Sequence, residues 1–245
     1  MSLFSHLGAY FLMLKGMFSK PENFKMYWKE FMHQCVEIGI GALPIVVIIS
    51  LFLGAVSTVQ TAYQLVSPLI PMTTVAQIVR DSMILELSTT VLSIVLAGVV
   101  GSKIASELGN MRISEQIDAL EIMGINPKSY LVLPKILAGL LVIPGLIVIS
   151  AVLGIWGGKL AGDLTGILAP DLYDIGLRQN LKIYNIQFAL YKAYTYAFLI
   201  CSIPAYYGFH VKGGSLEIGR ASTSAVVVSC IMILLADYTL AALFL

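Results

Sequence analysis

Apolar residues in this chain gather in long runs and do not alternate with polar ones. Five runs stand out, roughly Ile38 to Val59, Met83 to Ile104, Tyr130 to Trp156, Ile186 to Tyr207 and Ala221 to Leu245, each bounded by Gly, Pro, Asn or charged residues. A hydrocarbon core of about 30 Å takes about 20 helical residues to cross, so every run is long enough. Backbone polar groups in lipid must be satisfied within their own segment, and no period-two pattern suggests barrel strands, so the runs predict transmembrane helices. Pro44, Pro134, Pro144 and Pro204 lie inside them and predict local kinks. Gly54, Ser57 and Thr58 in the first run, and Gly98, Gly101 and Ala105 in the second, predict close helix approach.

Ahead of the first run the pattern changes to helical spacing. Leu3, Phe4, Leu7, Tyr10, Phe11, Leu14 and Phe18 recur on one face, and Phe24, Tyr27, Trp28 and Phe31 continue beyond Pro21 among Lys15, Lys20, Lys25 and Lys29. This predicts an amphipathic segment over residues 1–37, in the membrane interface, before a five-helix domain over 38–245. Met1 to Leu14 has no basic residue ahead of its apolar stretch and no small-residue cleavage site, so an unprocessed N-terminus is expected.

Composition agrees: 58% of the 245 residues are hydrophobic and 12% charged, with a mean hydropathy of +0.88. That is an all-α polytopic membrane protein. With a cytoplasmic N-terminus, ten basic residues (Lys15, Lys20, Lys25, Lys29, Lys103, Arg112, Lys128, Lys135, Lys212 and Arg220) fall inside. Five (Arg80, Lys159, Arg178, Lys182 and Lys192) fall on or near the outer face, which predicts N-in, C-out. Cys35, Cys201 and Cys230 are scattered, and so are His6, His33 and His210, without metal or disulfide spacing. The phosphate-loop pattern is absent, the nearest Gly-Lys, Gly158-Lys159, being followed by Leu160, so any ATP and Mg must be bound by another chain. No nucleic-acid partner is expected.

One polar stretch stands apart, ASELGNMRISEQIDALEIMGINP, Ala105 to Pro127. From Arg112 to Met123, Ile113, Ile117, Leu120 and Met123 fall on one helical face and Glu115, Asp118 and Glu121 on another, predicting a short amphipathic helix over about 111–124 ended by Gly124 and Pro127. Such a helix between the second and third spans is either a solvated loop or a surface for a soluble partner. Two acids lie inside the spans: Glu86 in MILELSTTV and Asp237 in LLADYTL. An unpaired carboxylate at the centre of a membrane helix costs roughly 2.5 kcal/mol or more, so each must face a cavity or a partner.

The Ala105 to Pro127 stretch closely resembles the signature of the MlaE-like permeases, membrane subunits of ABC lipid transporters that work with MCE-domain proteins. GIWGGKLAG (Gly154 to Gly162), GRASTSAVVVSC (Gly219 to Cys230) and LADYTLAALF (Leu235 to Phe244) match as well. The resemblance implies five transmembrane helices after an interfacial helix, a homodimer, an ATPase subunit dimer, an MCE-type partner on the outer face, and phospholipid as cargo. It further implies a place in the bacterial inner membrane and a part in outer-membrane lipid asymmetry. Arg112, Glu115, Gln116, Asp118 and Glu121 become candidate ATPase contacts on a coupling helix. Leu85, Glu86 and Leu87 become candidates for the lipid path, since Glu86 resembles the acid of an Arg-Glu-Leu-Gly-Pro run. This chain departs from that run, with Leu85 in place of Arg and Ser88 and Thr89 in place of Gly and Pro. Asp237 is expected to be a structural acid paired with another span. The glycines of GIWGGKLAG are expected to pack helices or to open the outer end of the third span.

A different class of function also fits two intramembrane acids: an ion-coupled secondary transporter in which Glu86 and Asp237 carry protons. Five spans without a visible pair of inverted halves speak against it. No clustered His, Cys, Ser or carboxylate constellation suggests a membrane enzyme.

Overall fold

The computed structural model describes residues 3–17, 24–65 and 71–244, so Phe18, Lys20, Pro21 and Leu245 lie outside the described residues. All regular structure among the described residues is helical. In chain order the helices are α1 (Leu3–Met17), α2 (Phe24–Gln64), α3 (Thr73–Ile113), α4 (Gln116–Ile122), α5 (Lys128–Leu164), α6 (Pro170–Arg178), α7 (Ile183–Phe209) and α8 (Ser215–Phe244). Five of them, α2, α3, α5, α7 and α8, are long and apolar enough to cross a membrane.

Several helices outrun the apolar patterns that predict them. α2 has 41 residues, which at about 1.5 Å each gives roughly 60 Å, twice a hydrocarbon core. Hydropathy marks only the middle of such a helix. No break separates residue 37 from 38: the boundary expected there falls inside α2, and only α1 is a separate N-terminal helix. Pro44, Pro144 and Pro204 are all carried within continuous helices. α3 contains π-helical stretches at Met83–Val91 and Ala97–Gly101, and α5 begins with one at Lys128–Val132, just ahead of Pro134. Such wide turns are frequent at functional positions.

The chain divides into two compact units. The first comprises Met1–Gly41, Ile94–Val142 and Tyr196–Leu235. Here α1 is pinned along its length: His6 Nδ1 lies 2.9 Å from the Tyr206 hydroxyl, the Tyr10 hydroxyl 2.8 Å from Ser202 Oγ, and Asn126 Nδ2 donates to Gly16 O at 3.1 Å. Burial pushes the Tyr10 hydroxyl pKa up, with the Ser202 hydrogen bond opposing it.

The second unit comprises Ala42–Ser93, Ile143–Thr195 and Ala236–Leu245. Its core gathers Val75, Ala76, Val79 and Met83 of α3 with Leu168 and Tyr173. Arg80 closes that cluster, its guanidinium donating to the carbonyls of Leu177 and Gln179 at 2.7 Å each. A cation there satisfies the free carbonyls at the end of α6. Elsewhere in this unit α2 and α5 touch through their backbones: a Cβ built on Gly54 would lie 1.7 Å from Gly154 O, so α2 tolerates no side chain there, while a Cβ on Gly154 would meet the Met83 side chain of α3. Within GIWGGKLAG, Gly157 and Gly158 pack against α2 at Leu51 and Thr58, Gly154 against Met83 and Gly162 against Leu168.

Candidate functional site

The intramembrane acids lead to one buried cation. In the second unit, Lys192 of α7 is fully buried and holds Glu86 Oε1 of α3 at 2.9 Å and Asp237 Oδ1 of α8 at 2.5 Å. Its ammonium also donates to Leu85 O at 2.9 Å and lies 5.4 Å from the centre of the Phe188 ring. The π-helical turn loosens the backbone ladder here, and Leu85 O takes a second donor, Thr89 Oγ1 at 2.6 Å. Thr90 Oγ1 donates to the outer oxygen of Glu86 at 3.1 Å.

The three charged groups differ in access. Lys192 has no exposed surface, the Asp237 side chain is 19% exposed and the Glu86 side chain 51%. One ammonium is shared between two carboxylates. The arrangement thus presents a half-exposed acid on a membrane helix, with its basic partner buried behind it. Ile84, Ser88 and Thr89 of the same π-helical stretch line a largely apolar groove of about 200 Å³, together with Ile147, Ala151 and Ile186.

Of the three residues expected on a lipid path, Glu86 is the exposed one. Leu87 packs against the Val75 to Met83 core, and Leu85 contributes its carbonyl to Lys192. No basic side chain stands at 85, yet a cation occupies its neighbourhood from α7. Asp237 joins the same cluster as Glu86. The sequence reading puts Lys192 on or near the outer face; the structure shows it buried between two carboxylates. Its signal was available, since a lysine in the run Ile186 to Tyr207 demands a counter-charge.

The first unit holds a second buried lysine. Lys135 of α5 is 1% exposed and bonds Glu107 Oε2 of α3 at 2.6 Å, while Lys103 of α3 bonds Glu37 Oε1 of α2 at 2.9 Å. These pairs tie α2, α3 and α5 together next to the polar connection.

That connection corrects the expectation of one helix over 111–124. α3 runs to Ile113, the Ser114 hydroxyl turns back to Asn110 O at 2.7 Å, and Glu115 adopts φ +58°, a left-handed conformation that ends the helix. α4 then restarts at Gln116 and stops before Gly124, at φ +80°. Arg112 Nη1 bridges the break to Asp118 Oδ1 at 2.5 Å, and Ile117 is buried. Arg112 and Asp118 are thus brought together, while Glu115, Gln116 and Glu121 point to the exposed side. Beside the acids, Ile122 is 88% exposed, and Met123 is also exposed. Among the described residues no group of His, Cys, Asp and Glu could hold a metal ion.

Residues 31–243 match the family described as Permease MlaE. A probable ABC transporter permease protein of Rickettsia bellii is 35% identical over 89% of this chain and 84% of its own length. The intermembrane phospholipid transport system permease protein MlaE of Haemophilus influenzae is 28% identical over 96% of this chain and 90% of its own. The chloroplastic trigalactosyldiacylglycerol 1 protein of Arabidopsis thaliana is 29% identical over 90% of this chain and 63% of its own. With its five apolar spanning helices and a family match over nearly its whole length, this chain is a multi-pass membrane protein of the MlaE permease family.

Proposed function

We propose that the chain is the permease subunit of an ABC transporter that moves phospholipid between the inner membrane and an MCE-type partner, driven by ATP hydrolysed in a separate subunit that also binds the Mg. The observation that carries this reading is the half-exposed Glu86, held within a membrane span by the wholly buried Lys192. Apolar helix faces offer about 0.8 kcal/mol for each buried CH₂ of a lipid tail. They are indifferent to the headgroup, whereas an acid at their edge orients it.

Two copies are expected to complete the lipid path. Only 11% of the hydrophobic window of α8 is buried within the chain, against 50% in α3 and α7, so α8 has most of its surface left for a second copy or lipid. The exposed edge of α4, with Glu115, Gln116, Glu121 and Ile122, is the surface that the ATPase subunit would engage. Lys135–Glu107 and Lys103–Glu37 would carry its motion into α2, α3 and α5 as one body. The N-in, C-out orientation keeps its support: Arg80, Lys135 and Lys192 are buried against partners, and the remaining basic residues still favour the N-terminal side. The H. influenzae relative carries phospholipid transport in its name, and the R. bellii relative is named an ABC permease rather than an ion-coupled carrier.

The test is lipid transfer by the complex reconstituted with its ATPase and outer partner. Glu86→Ala should abolish most ATP-dependent transfer while the complex still assembles and hydrolyses ATP. Undiminished transfer removes Glu86 from the path, and transfer driven by a proton gradient without ATP returns the chain to the secondary-carrier class.

A further inference from the structure

Two clefts open on the first unit and share one wall, the turn from His210 to Lys212 after α7. The larger, about 260 Å³, is bounded by His6 of α1, Tyr206 and Tyr207 of α7, and Arg220 and Ser224 of α8. The smaller, about 230 Å³, adds Arg112, Glu121 and Lys128. Four fixed cations thus meet three carboxylates, Glu217 and Glu121 on the walls and Asp118 beside Arg112. Arg220 bonds Glu217 at 2.7 Å and Arg112 bonds Asp118, while Lys128 and Lys212 form no ion pair among the described residues.

The field at the shared wall is positive. His210 lies between the spans, and its pKa is held below the usual histidine value, first by burial and then by Lys128, Arg112 and His6; a hydrogen bond to Tyr206 O opposes the shift. No carboxylate enters that balance. The α1 helix that carries His6 also exposes Leu7, Phe11 and Leu12, an apolar face suited to the acyl-chain boundary, and Tyr206 and Tyr207 supply the ring-and-hydroxyl chemistry of a membrane interface. Basic pockets at this level bind anionic headgroups.

We infer that the cleft between α1 and the α7–α8 turn binds the phosphate of an anionic phospholipid headgroup, with Lys212 and Arg220 as its positive contacts and His210 joining them when protonated. The site belongs to the first unit and involves neither Glu86 nor Lys192, so it stands whether or not phospholipid is the cargo. A lipid there fastens α1 to α7 and α8 and makes the permease responsive to the anionic content of the leaflet it rests in. An anion in the cleft also lifts His210 towards its ordinary value, so binding tightens as pH falls through the usual histidine range, with His6, Glu121 and Glu217 as the other titrating groups facing the turn.

The experiment is a titration of the full-length permease in detergent with phosphatidylglycerol or phosphatidylcholine of matched chains, read by native mass spectrometry. Phosphatidylglycerol should be retained about tenfold more strongly. Lys212→Gln with Arg220→Gln should erase the preference. Arg178→Gln with Lys182→Gln, exposed in the second unit, should leave it intact. His210→Gln should flatten the pH dependence while the variant still elutes as folded protein. Equal retention of the two lipids, or a preference that survives the Lys212 and Arg220 changes, overturns the site. Displacement of the lipid by millimolar inorganic phosphate makes the ligand a soluble phosphate and overturns the lipid assignment.

Discussion

Lys135 in the first unit and Lys192 in the second are both buried lysines in membrane helices, and they are neutralised in different ways. Lys135 meets one carboxylate, Glu107, and the nearby Lys103–Glu37 pair is likewise balanced. Lys192 meets two, Glu86 and Asp237, and Glu86 is the one that reaches the open surface. A balanced pair fastens helices. A shared lysine with one accessible acid fastens them and also leaves that acid within reach of something else.

The sharpest way to break this contrast is to remove the lysines. Lys192→Met takes this ion-pair partner from two carboxylates and should cost about 3–5 kcal/mol, read as a large drop in the unfolding temperature of the purified permease. Adding Glu86→Gln and Asp237→Asn should recover most of it. Lys135→Met strands only Glu107, whose side chain is 37% exposed and can draw on water. Its cost should be about 1–3 kcal/mol by the same measurement. Equal losses would mean that the second carboxylate has no energetic consequence.

Glu86→Gln alone separates fastening from use. Asp237 still neutralises Lys192, so stability should change by less than about 1 kcal/mol. Lipid transfer by the reconstituted complex should still fall by about tenfold, the equivalent of one charge-assisted hydrogen bond. The smallest effect is expected at the break before α4. Glu115→Gly removes the cost of a left-handed L-residue and should stabilise the permease by about 0.5–1 kcal/mol, whereas Glu115→Val should destabilise it.

The five spans and the two intramembrane acids were legible because lipid imposes long apolar runs and makes any charge within them conspicuous. The partners were not. Nothing in the run Ile186 to Tyr207 says which face of α7 meets α3, so Lys192 reads as an outlying charge until the helices are placed. The break at Ser114 and Glu115 was hidden for another reason: glutamate is no marker of left-handed backbone, and the apolar spacing on either side continues in phase. Helix ends escaped as well, since hydropathy records where lipid lies and α2 continues well beyond it.

The crossing of Gly54 and Gly154 has a thermal consequence. A contact made of backbone alone has no rotamers to freeze, so forming it costs no side-chain entropy, and heating gives it no hidden freedom to regain. The seam between α2 and α5 should therefore keep its geometry over a range of temperature and bilayer thickness in which side-chain contacts repack. It is a fixed datum against which movement of the other helices in the second unit can be measured.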